Sequence, residues 1–358
     1  MKKINILTAG LISPNSYGFL FPIIGNKKKL MDYKISFNIF YKIQPEIYDC
    51  DILIIDSKYF TNLWDKNKEL IFEELIKFKS RVDKVFYFSI NDSSTFDHAL
   101  MLPYVDRYFK NQILKDKNLY LNSFYGNRYY TDYYHKNFEI NDENPKNSTP
   151  IKNYEDLAKI KLGWNTGLVN WSTFSTIKYN LFSNLKINYS INSLGKFISP
   201  YRKRKNKISV RFNTDYSSKT VSYQRLQIKN KLNLYYNTNK INRFSYFREL
   251  KNSKIVISPF GLGEITLKDF EVFLTGGLLL KPFMQHMKTW PNLFIENETF
   301  IPYSLDLNDF NEVIDYSLSN YKKLIDIAVN GQELYKKYNI YDKENYKFCD
   351  YFSNLVKF

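Results

Sequence analysis

The chain has little of what several common protein classes need. Its 358 residues include two cysteines, Cys50 and Cys349, which lie far apart; this excludes a disulfide framework and indicates a reducing compartment. The three histidines, His98, His135 and His286, are scattered, so no His/Cys cluster has the spacing of a metal site. No apolar run approaches the roughly 18 residues that a membrane span needs. We expect a cytoplasmic protein that requires neither a metal ion nor another cofactor.

The N-terminus has a basic start, Lys2 and Lys3, before a short apolar stretch, which resembles a signal peptide. The stretch runs into Ser13-Pro14 after few residues, and the small turn Ala9-Gly10 interrupts it. A buried first strand over 4–8 is the favoured interpretation, because short apolar runs bounded by Gly and Pro are typical of parallel sheets.

Acidic residues are too few to balance the basic ones, and the net charge is +16. Such an excess usually suggests nucleic acid or an anionic membrane as a partner. Here Lys, Asn, Ile, Tyr and Phe are all abundant, the residues that AT-rich codons encode, and the lysines are dispersed. The densest basic run, 202–205, is interpreted as an interdomain or membrane-facing loop. We therefore expect no nucleic-acid partner, and peripheral contact with the inner face of an anionic membrane stays open.

Strand and helix patterns alternate along both halves of the chain. Apolar runs at 52–56 and 85–90 are typical of parallel strands, with helical patterns between them. This predicts an α/β fold with two Rossmann-like domains facing each other across a cleft, with the boundary near residues 195–205. Ligands in such sheets bind beyond the carboxyl ends of the strands.

One segment stands out for its glycine turn. Gly261 and Gly263 follow an apolar run and open an amphipathic segment, the arrangement that presents a helix N-terminus to a phosphate. At helical spacing, Glu264, Lys268 and Glu271 share one stripe. A cation and two carboxylates there could hold a nucleotide diphosphate and its ribose. A solvated helix face with charge pairing is the alternative.

Five sequence pieces then occur in a recognisable order. Around the Arg211 strand and in GLGEITLKDFEVFLTGGLLLKP, WPNLF, TFIPYSLDLNDFNEVIDY and IAVNGQELYKK, the chain resembles bacterial GT-B glycosyltransferases. It is especially similar to the capsule-associated-protein and protein O-glucosyltransferase type. The resemblance implies the GT-B fold, with 1–200 as the acceptor-side domain, 201–341 as the nucleotide-sugar domain and 342–358 as a helix that returns to the first domain. The resemblance covers much of the C-terminal half and the N-terminal half only loosely.

The resemblance implies a donor site for a nucleotide sugar. Arg211 and Arg225 would contact the diphosphate, and Glu271 would accept hydrogen bonds from the ribose hydroxyls. Lys268 stands where the family usually has Arg, which keeps the charge and loses the bidentate fork. The full expected donor site is Arg211, Arg225, Gly261, Gly263, Glu264, Lys268 and Glu271.

A catalytic base is expected on the N-terminal side of the cleft. Asp92 follows the strand predicted at 85–90, and Asp97 and His98 lie a few residues further on. Either carboxylate could take the acceptor proton, and His98 could support the sugar. A helix-capping Asp92 and a surface His98 are the alternatives. Asp49-Cys50-Asp51 spells a metal-binding Asp-x-Asp but precedes its strand, so no metal site is expected there.

These observations favour a metal-independent hexosyl- or pentosyltransferase. It would move a sugar from a nucleotide sugar to a glycan, lipid-linked or protein acceptor, in the synthesis of surface polysaccharide or glycoprotein. A non-catalytic nucleotide-sugar or glycan-binding protein is the first alternative, and a basic nucleic-acid-binding protein the last. The sequence leaves open the sugar, the acceptor, the oligomeric state, the identity of the base, and whether the anomeric configuration is kept.

Overall fold

The computed structural model describes residues 1–64, 66–96, 98–175, 177–179 and 194–358. Two parallel sheets, of six and four strands, carry these residues with helices around them. The α/β prediction with a sheet in each half is thereby confirmed.

The first sheet has the strand order β2-β1-β3-β4-β5-β7, and all its pairs are parallel. Its central strands are buried because they consist of nearly continuous apolar residues covered on both faces. The strands are β1 Lys2–Leu7, β2 Ile35–Phe40, β3 Ile52–Asp56, β4 Lys84–Ser89, β5 Arg107–Lys110 and β7 Ile160–Leu162.

The second sheet has the order β12-β10-β9-β8 and is also parallel. Its strands are β8 Asn206–Ser209, β9 Ser253–Ile257, β10 Leu278–Pro282 and β12 Ile301–Tyr303.

A two-stranded antiparallel ladder joins the two halves. Strand β6, Gln112–Leu114, lies just after the first sheet's β5, and β11, Met287–Thr289, lies in the second half. The backbone amide of Lys115 extends this pairing, donating to the carbonyl of His286 at 2.8 Å. The halves are thus bound to each other through main-chain hydrogen bonds.

The helices pack around the sheets, with short 3-10 turns between the elements. In the first half they span Pro14–Gly25, Lys27–Asp32, Thr61–Trp64, Lys68–Arg81 and Tyr129–Phe138. In the second half they span Lys219–Leu232, Arg243–Asn252, Leu267–Thr275, Phe310–Ser319, Tyr321–Lys336 and Lys347–Leu355.

The last helix, Lys347–Leu355, packs on the first sheet although it ends the chain. Its Phe348 and Phe352 contact Trp164 edge-on, at centroid distances of 5.3 and 5.8 Å. Its buried residues belong to the core formed by β1, β3 and β4. Apolar burial of this kind stabilises by roughly 25 cal/mol per Å². The chain therefore crosses from the second half back to the first.

Within the basic run at 202–205, which lies in a loop, Arg204 differs from its three exposed neighbours. The Arg204 side chain is buried and donates to the carbonyls of Thr275 at 2.8 Å and Gly276 at 2.6 Å. It also reaches the carbonyl of Ser253 at 3.1 Å. A guanidinium suits this position, since helix C-termini leave carbonyls unpaired and carry partial negative charge. For Arg204, the interpretation as an interdomain or membrane-facing loop residue was wrong.

Candidate functional site

A cavity of about 490 Å³ lies where the two halves meet. Both halves contribute polar and apolar groups to its wall. Its lining residues are Ser13, Pro14, Asn15, Lys58, Asp92, Asn111, Gln112, Thr166, Tyr216, Arg225, Gly261, Leu262, Gly263, Ile265, Thr266 and Leu267.

The N-terminal wall is built from segments that follow strands of the first sheet. Asn15 lies beyond β1, Lys58 beyond β3, Asp92 beyond β4 and Asn111 beyond β5. Parallel strands end at one edge of the sheet, so these separate segments converge there. The first turn of the helix Pro14–Gly25 faces the cavity as well, and brings its positive end.

The C-terminal wall is the glycine turn and the helix that follows it. The turn closes on itself, because the Gly261 amide donates to the Gly263 carbonyl at 2.9 Å. Thr266 and Asp269 form a reciprocal capping box, which starts the helix at Leu267. The predicted stripe of Glu264, Lys268 and Glu271 on one helix was therefore wrong for Glu264, which lies in the turn before the helix.

A buried ion pair supports this turn from below. Lys281 and Asp269 lie 2.9 Å apart, and both side chains are fully buried. The Ser258 hydroxyl donates to the other Asp269 oxygen at 2.6 Å. Burial lowers the pKa of Lys281, and the Asp269 carboxylate opposes that fall. Breaking such a pair leaves an unpaired buried charge, so it holds the turn and helix in one position.

Asp92 is held in the cavity wall by neighbours on its own side. Asn15 Nδ2 donates to its Oδ1 at 2.8 Å, and Gln112 Nε2 donates to its backbone carbonyl. This leaves the second carboxylate oxygen, Oδ2, as an acceptor beside the cavity. The geometry is compatible with a general base that receives a proton from a bound hydroxyl.

The two walls touch at Gly263. A Cβ at this position would lie 1.9 Å from the backbone oxygen of Asp92, a distance that no side chain tolerates. Glycine is required here for close approach of two backbones rather than for a left-handed conformation. The glycine turn is thus seated directly on the Asp92 segment.

Arg225 is buried beneath the glycine turn and lines the cavity. Its Nε donates to the Phe260 carbonyl at 2.5 Å and its Nη1 to the Asn213 carbonyl at 2.9 Å. A Cβ on Gly261 would meet its Nη2 at 2.7 Å. Burial lowers the pKa of Arg225, although a guanidinium stays protonated in the physiological range. A permanent cation therefore stands at the glycine turn.

Arg211 and Lys268 are not in the lining of this cavity. Arg211 forms a bidentate pair with Glu249, in which Nε donates to Oε1 at 3.1 Å and Nη2 donates to Oε2 at 2.8 Å. Lys268 donates to the backbone carbonyl of Arg211 and lies 5.1 Å from the Phe212 ring centroid. Burial, and then the charge of Arg225, lower the pKa of Lys268 to about 7.

Glu271 lies outside the cavity lining too and is buried. Tyr246 donates its hydroxyl to Oε2 at 2.7 Å, and Arg243 lies 3.4 Å from Oε1. Burial raises the pKa of Glu271, and the Arg243 cation opposes this. Tyr246 and Arg243 are thus the partners of the carboxylate for which the sequence suggested a ribose.

Glu264 is fully buried and turns away from the lining towards the first half of the chain. Burial raises the pKa of Glu264, but His286 and Ser94 outweigh it and hold the pKa below its usual value. His286 lies 3.7 Å from Oε1 and stacks on Tyr129 at 4.4 Å.

Of the other two candidates for catalysis, Asp97 lies outside the described residues. His98 is outside the cavity lining, with Nδ1 at 2.9 Å from the Tyr87 hydroxyl oxygen. Its ring lies 4.1 Å from that of Trp64. The structure brings together Asp92, Arg225, Gly261 and Gly263.

Sequence reasoning missed several lining residues. Asn15, Lys58 and Asn111 each follow a strand, and the rule that ligands bind beyond strand ends points to them. Tyr216 has no such signal; its ring lies 5.3 Å from the Arg225 guanidinium, a contact that only the fold reveals.

The described ranges contain neither a metal-binding cluster nor a membrane-spanning helix. Within residues 1–64, 66–96, 98–175, 177–179 and 194–358, no three His, Cys, Asp or Glu side chains group in a way that could hold a metal ion. Within the same ranges, no helix combines the length and apolar character that crossing a bilayer requires.

Comparisons with known proteins give distant structural likenesses. No protein family and no curated protein matches the sequence. HepE from Anabaena, solved with UDP-glucose, gives a TM-score of 0.44 at 11% identity, covering 99% of this chain and 100% of that one. A glycosyltransferase from Rickettsia africae gives 0.45 at 11% identity, covering 99% of both chains.

A third likeness covers less of the other protein. The pneumococcal O-GlcNAc transferase GtfA, solved with UDP and GlcNAc, gives 0.41 at 7% identity, covering 85% of this chain and 56% of that one. These likenesses concern the backbone path alone, and the function proposed below rests on the cavity.

Proposed function

We propose that the chain is a GT-B glycosyltransferase that transfers a sugar from a nucleotide sugar to a hydroxyl-bearing acceptor. The observation that carries the proposal is the cavity itself. There the buried cation Arg225, the glycine turn and the first turn of the helix Leu267–Thr275 face the carboxylate of Asp92.

The C-terminal wall suits a leaving diphosphate. As the bond between the anomeric carbon and the phosphate oxygen breaks, negative charge develops on the diphosphate. Arg225 and the helix N-terminus would stabilise that charge, and Lys58 adds a cation from the opposite wall. Protein cations and backbone dipoles would thus stabilise the leaving group without a metal ion, and turnover should persist in EDTA.

The N-terminal wall suits the acceptor. In the proposed reaction the acceptor oxygen bonds to the anomeric carbon, and Asp92 takes the proton that this oxygen loses. Asn15 orients the carboxylate through its 2.8 Å hydrogen bond. The acceptor class proposed is a glycan, lipid-linked or protein hydroxyl, in the synthesis of surface polysaccharide or glycoprotein. The domain division proposed with this is 1–200, 201–341 and 342–358.

Titration calorimetry tests the donor site. The probes are UDP, GDP, ADP, CMP and dTDP, each against the corresponding nucleoside. We expect one nucleotide to bind and its nucleoside, which lacks the phosphate groups, to bind at least tenfold more weakly, because contacts with the phosphates carry much of the affinity. Arg225→Lys should weaken that nucleotide by about 10- to 100-fold, the loss of one or two charge-assisted hydrogen bonds.

Arg204→Lys is the matched control for this experiment. Arg204 and Arg225 are each 6% exposed, and both donate to backbone carbonyls, but Arg204 is not in the cavity lining. Both variants should lose stability, and only Arg225→Lys should lose nucleotide affinity. Failure of every nucleotide to bind the wild-type protein would contradict the proposal. Binding without sugar transfer or donor hydrolysis would favour a non-catalytic binder.

A further inference from the structure

Residues of the first half of the chain contact the glycine turn at several points. Arg128 Nε donates to the Leu262 carbonyl at 2.6 Å, and the Tyr130 hydroxyl donates to the Gly261 carbonyl. Gly263 adds its backbone contact with Asp92. The turn that faces the proposed donor is therefore positioned by residues of the opposite half.

Glu264 is the charged member of this contact. Its Oε2 accepts the Ser94 amide at 3.1 Å, and its Oε1 accepts the Ser94 hydroxyl at 2.5 Å. The side chain is fully buried, so both bonds form in a medium that strengthens them. One carboxylate thus binds both donors of a single residue across the junction between the halves.

Ser94 lies two residues beyond Asp92. Its carbonyl accepts the Tyr120 hydroxyl at 2.9 Å, so the segment is held from the first half as well. Between Asn15, which binds the Asp92 carboxylate, and Glu264, which binds Ser94, the segment has little freedom to shift. The position of Asp92 relative to the glycine turn depends on the Glu264 contact.

We infer that Glu264 is a positioning residue, which fixes the Asp92 carboxylate at its working distance from the glycine turn. This inference rests on the proposed function, in which Asp92 is the base and the turn faces the leaving group. It differs from the donor-binding role that the sequence suggested for Glu264, since the side chain contacts Ser94 and not the cavity.

The contact is charge-assisted, because both oxygens of the carboxylate accept from Ser94. In Glu264→Gln the side-chain oxygen can still accept the Ser94 amide, but the NH2 group can only donate to the Ser94 hydroxyl oxygen, so the variant replaces charge-assisted bonds with weaker neutral ones. Glu264→Asp keeps both acceptors but shortens the reach by one methylene. Because a misplacement of about 1 Å can reduce a rate about 100-fold, partial loss of the contact should be measurable.

The test compares kcat, the donor KM and the nucleotide Kd in wild type, Glu264→Gln and Glu264→Asp. We expect kcat of Glu264→Gln to fall by about 10- to 100-fold while the Kd changes less than about threefold, with Glu264→Asp intermediate. The effects of Glu264→Gln and Ser94→Ala on kcat should be less than additive in the double variant, because the two residues act through one contact.

Glu249→Gln is the matched control. Glu249 is another largely buried carboxylate of the second half, paired with Arg211 and outside the cavity lining. Its variant should keep kcat within about threefold, whatever it costs in stability. Wild-type kcat in Glu264→Gln, or equal proportional losses in kcat and nucleotide affinity, would overturn the inference. Absence of turnover and nucleotide binding in wild type would overturn the proposed function itself.

Discussion

The two walls of the cavity use different chemistry. The wall from the first sheet presents the side chains of Asn15, Asp92 and Asn111, which can form hydrogen bonds with hydroxyls, together with Lys58 and the N-terminus of the helix Pro14–Gly25. The wall from the second sheet presents a glycine turn, a helix N-terminus and the buried cation Arg225, and, among its described residues, no carboxylate. The carboxylate and amides of the first wall suit a hydroxyl acceptor, and the second wall, with Lys58 opposite it, suits an anionic leaving group, so one cavity can hold both reactants of a group transfer.

The largest effect should come from the carboxylate of the first wall. Asp92→Asn keeps the shape of the side chain and removes the base, so kcat should fall by about 10²–10⁴-fold with nucleotide affinity nearly unchanged. Steady-state kinetics and calorimetry on the same preparation measure the two quantities. Asp83→Asn, at an exposed position of the same half, is the control. Near-normal turnover would place the base elsewhere or indicate a retaining reaction.

The next largest effect should come from a change at the contact between the walls, where Gly263 meets the Asp92 backbone. Gly263→Ala places a Cβ 1.9 Å from the Asp92 carbonyl oxygen, so the two backbones must separate. We expect a loss of about 1–3 kcal/mol in the free energy of unfolding, measured by denaturant titration, together with reduced turnover.

Gly25→Ala provides the comparison. Among the described residues, a Cβ there would meet only the tip of Ile340, at 4.0 Å. Its stability should stay equal or rise by up to about 1 kcal/mol, because alanine restricts the unfolded chain. Equal stability of both alanine variants would mean that the walls separate without cost.

A smaller effect should follow from the residue that orients the base. Asn15→Ala removes the 2.8 Å bond to Asp92 Oδ1 and leaves the carboxylate in place. Loss of one such bond corresponds to about 0.5–1.5 kcal/mol, so kcat should drop about two- to tenfold. Steady-state kinetics measure this drop, and an unchanged kcat would show that Asn15 does not orient Asp92.

The smallest effect concerns the second wall and its dependence on pH. Burial lowers the pKa of Lys268 to about 7 in the folded chain, against about 10.4 unfolded. Between these values the unfolded chain binds the additional proton, so Lys268 makes stability rise as the pH rises from about 7 to about 10. Lys268 is half-buried, and water will screen part of this effect. Lys268→Met should flatten the slope in thermal melts; an identical slope would contradict the shift.

Local patterns were enough to predict most of the sheets. Apolar runs predicted β3 at its observed bounds, Ile52–Asp56, and the run at 85–90 lies within one residue of β4, Lys84–Ser89, at each end. The helix Pro14–Gly25 was missed because its residues are apolar on all sides and include Pro22 and Gly18, so it has no amphipathic period. Strand β2 was missed as well, although it pairs with β1 along its whole length.

The partners of the charged residues could not be predicted from spacing. Glu249 lies 38 residues from Arg211, and Ser94 lies 170 residues from Glu264, so only the folded chain brings them together. The helical stripe failed for a local reason, since Thr266 and Asp269 start the helix after Glu264. Conversely, the glycine turn was recognisable because close backbone approach restricts the residue type.

The ladder between β6 and β11 has a consequence for fragments of the chain. Each strand would be an open edge if the halves were produced separately, and such edges recruit other chains. The last helix, Lys347–Leu355, would likewise leave an uncovered apolar face on the first half when removed. Truncation at the middle of this polypeptide should therefore yield aggregates instead of two independent folded fragments.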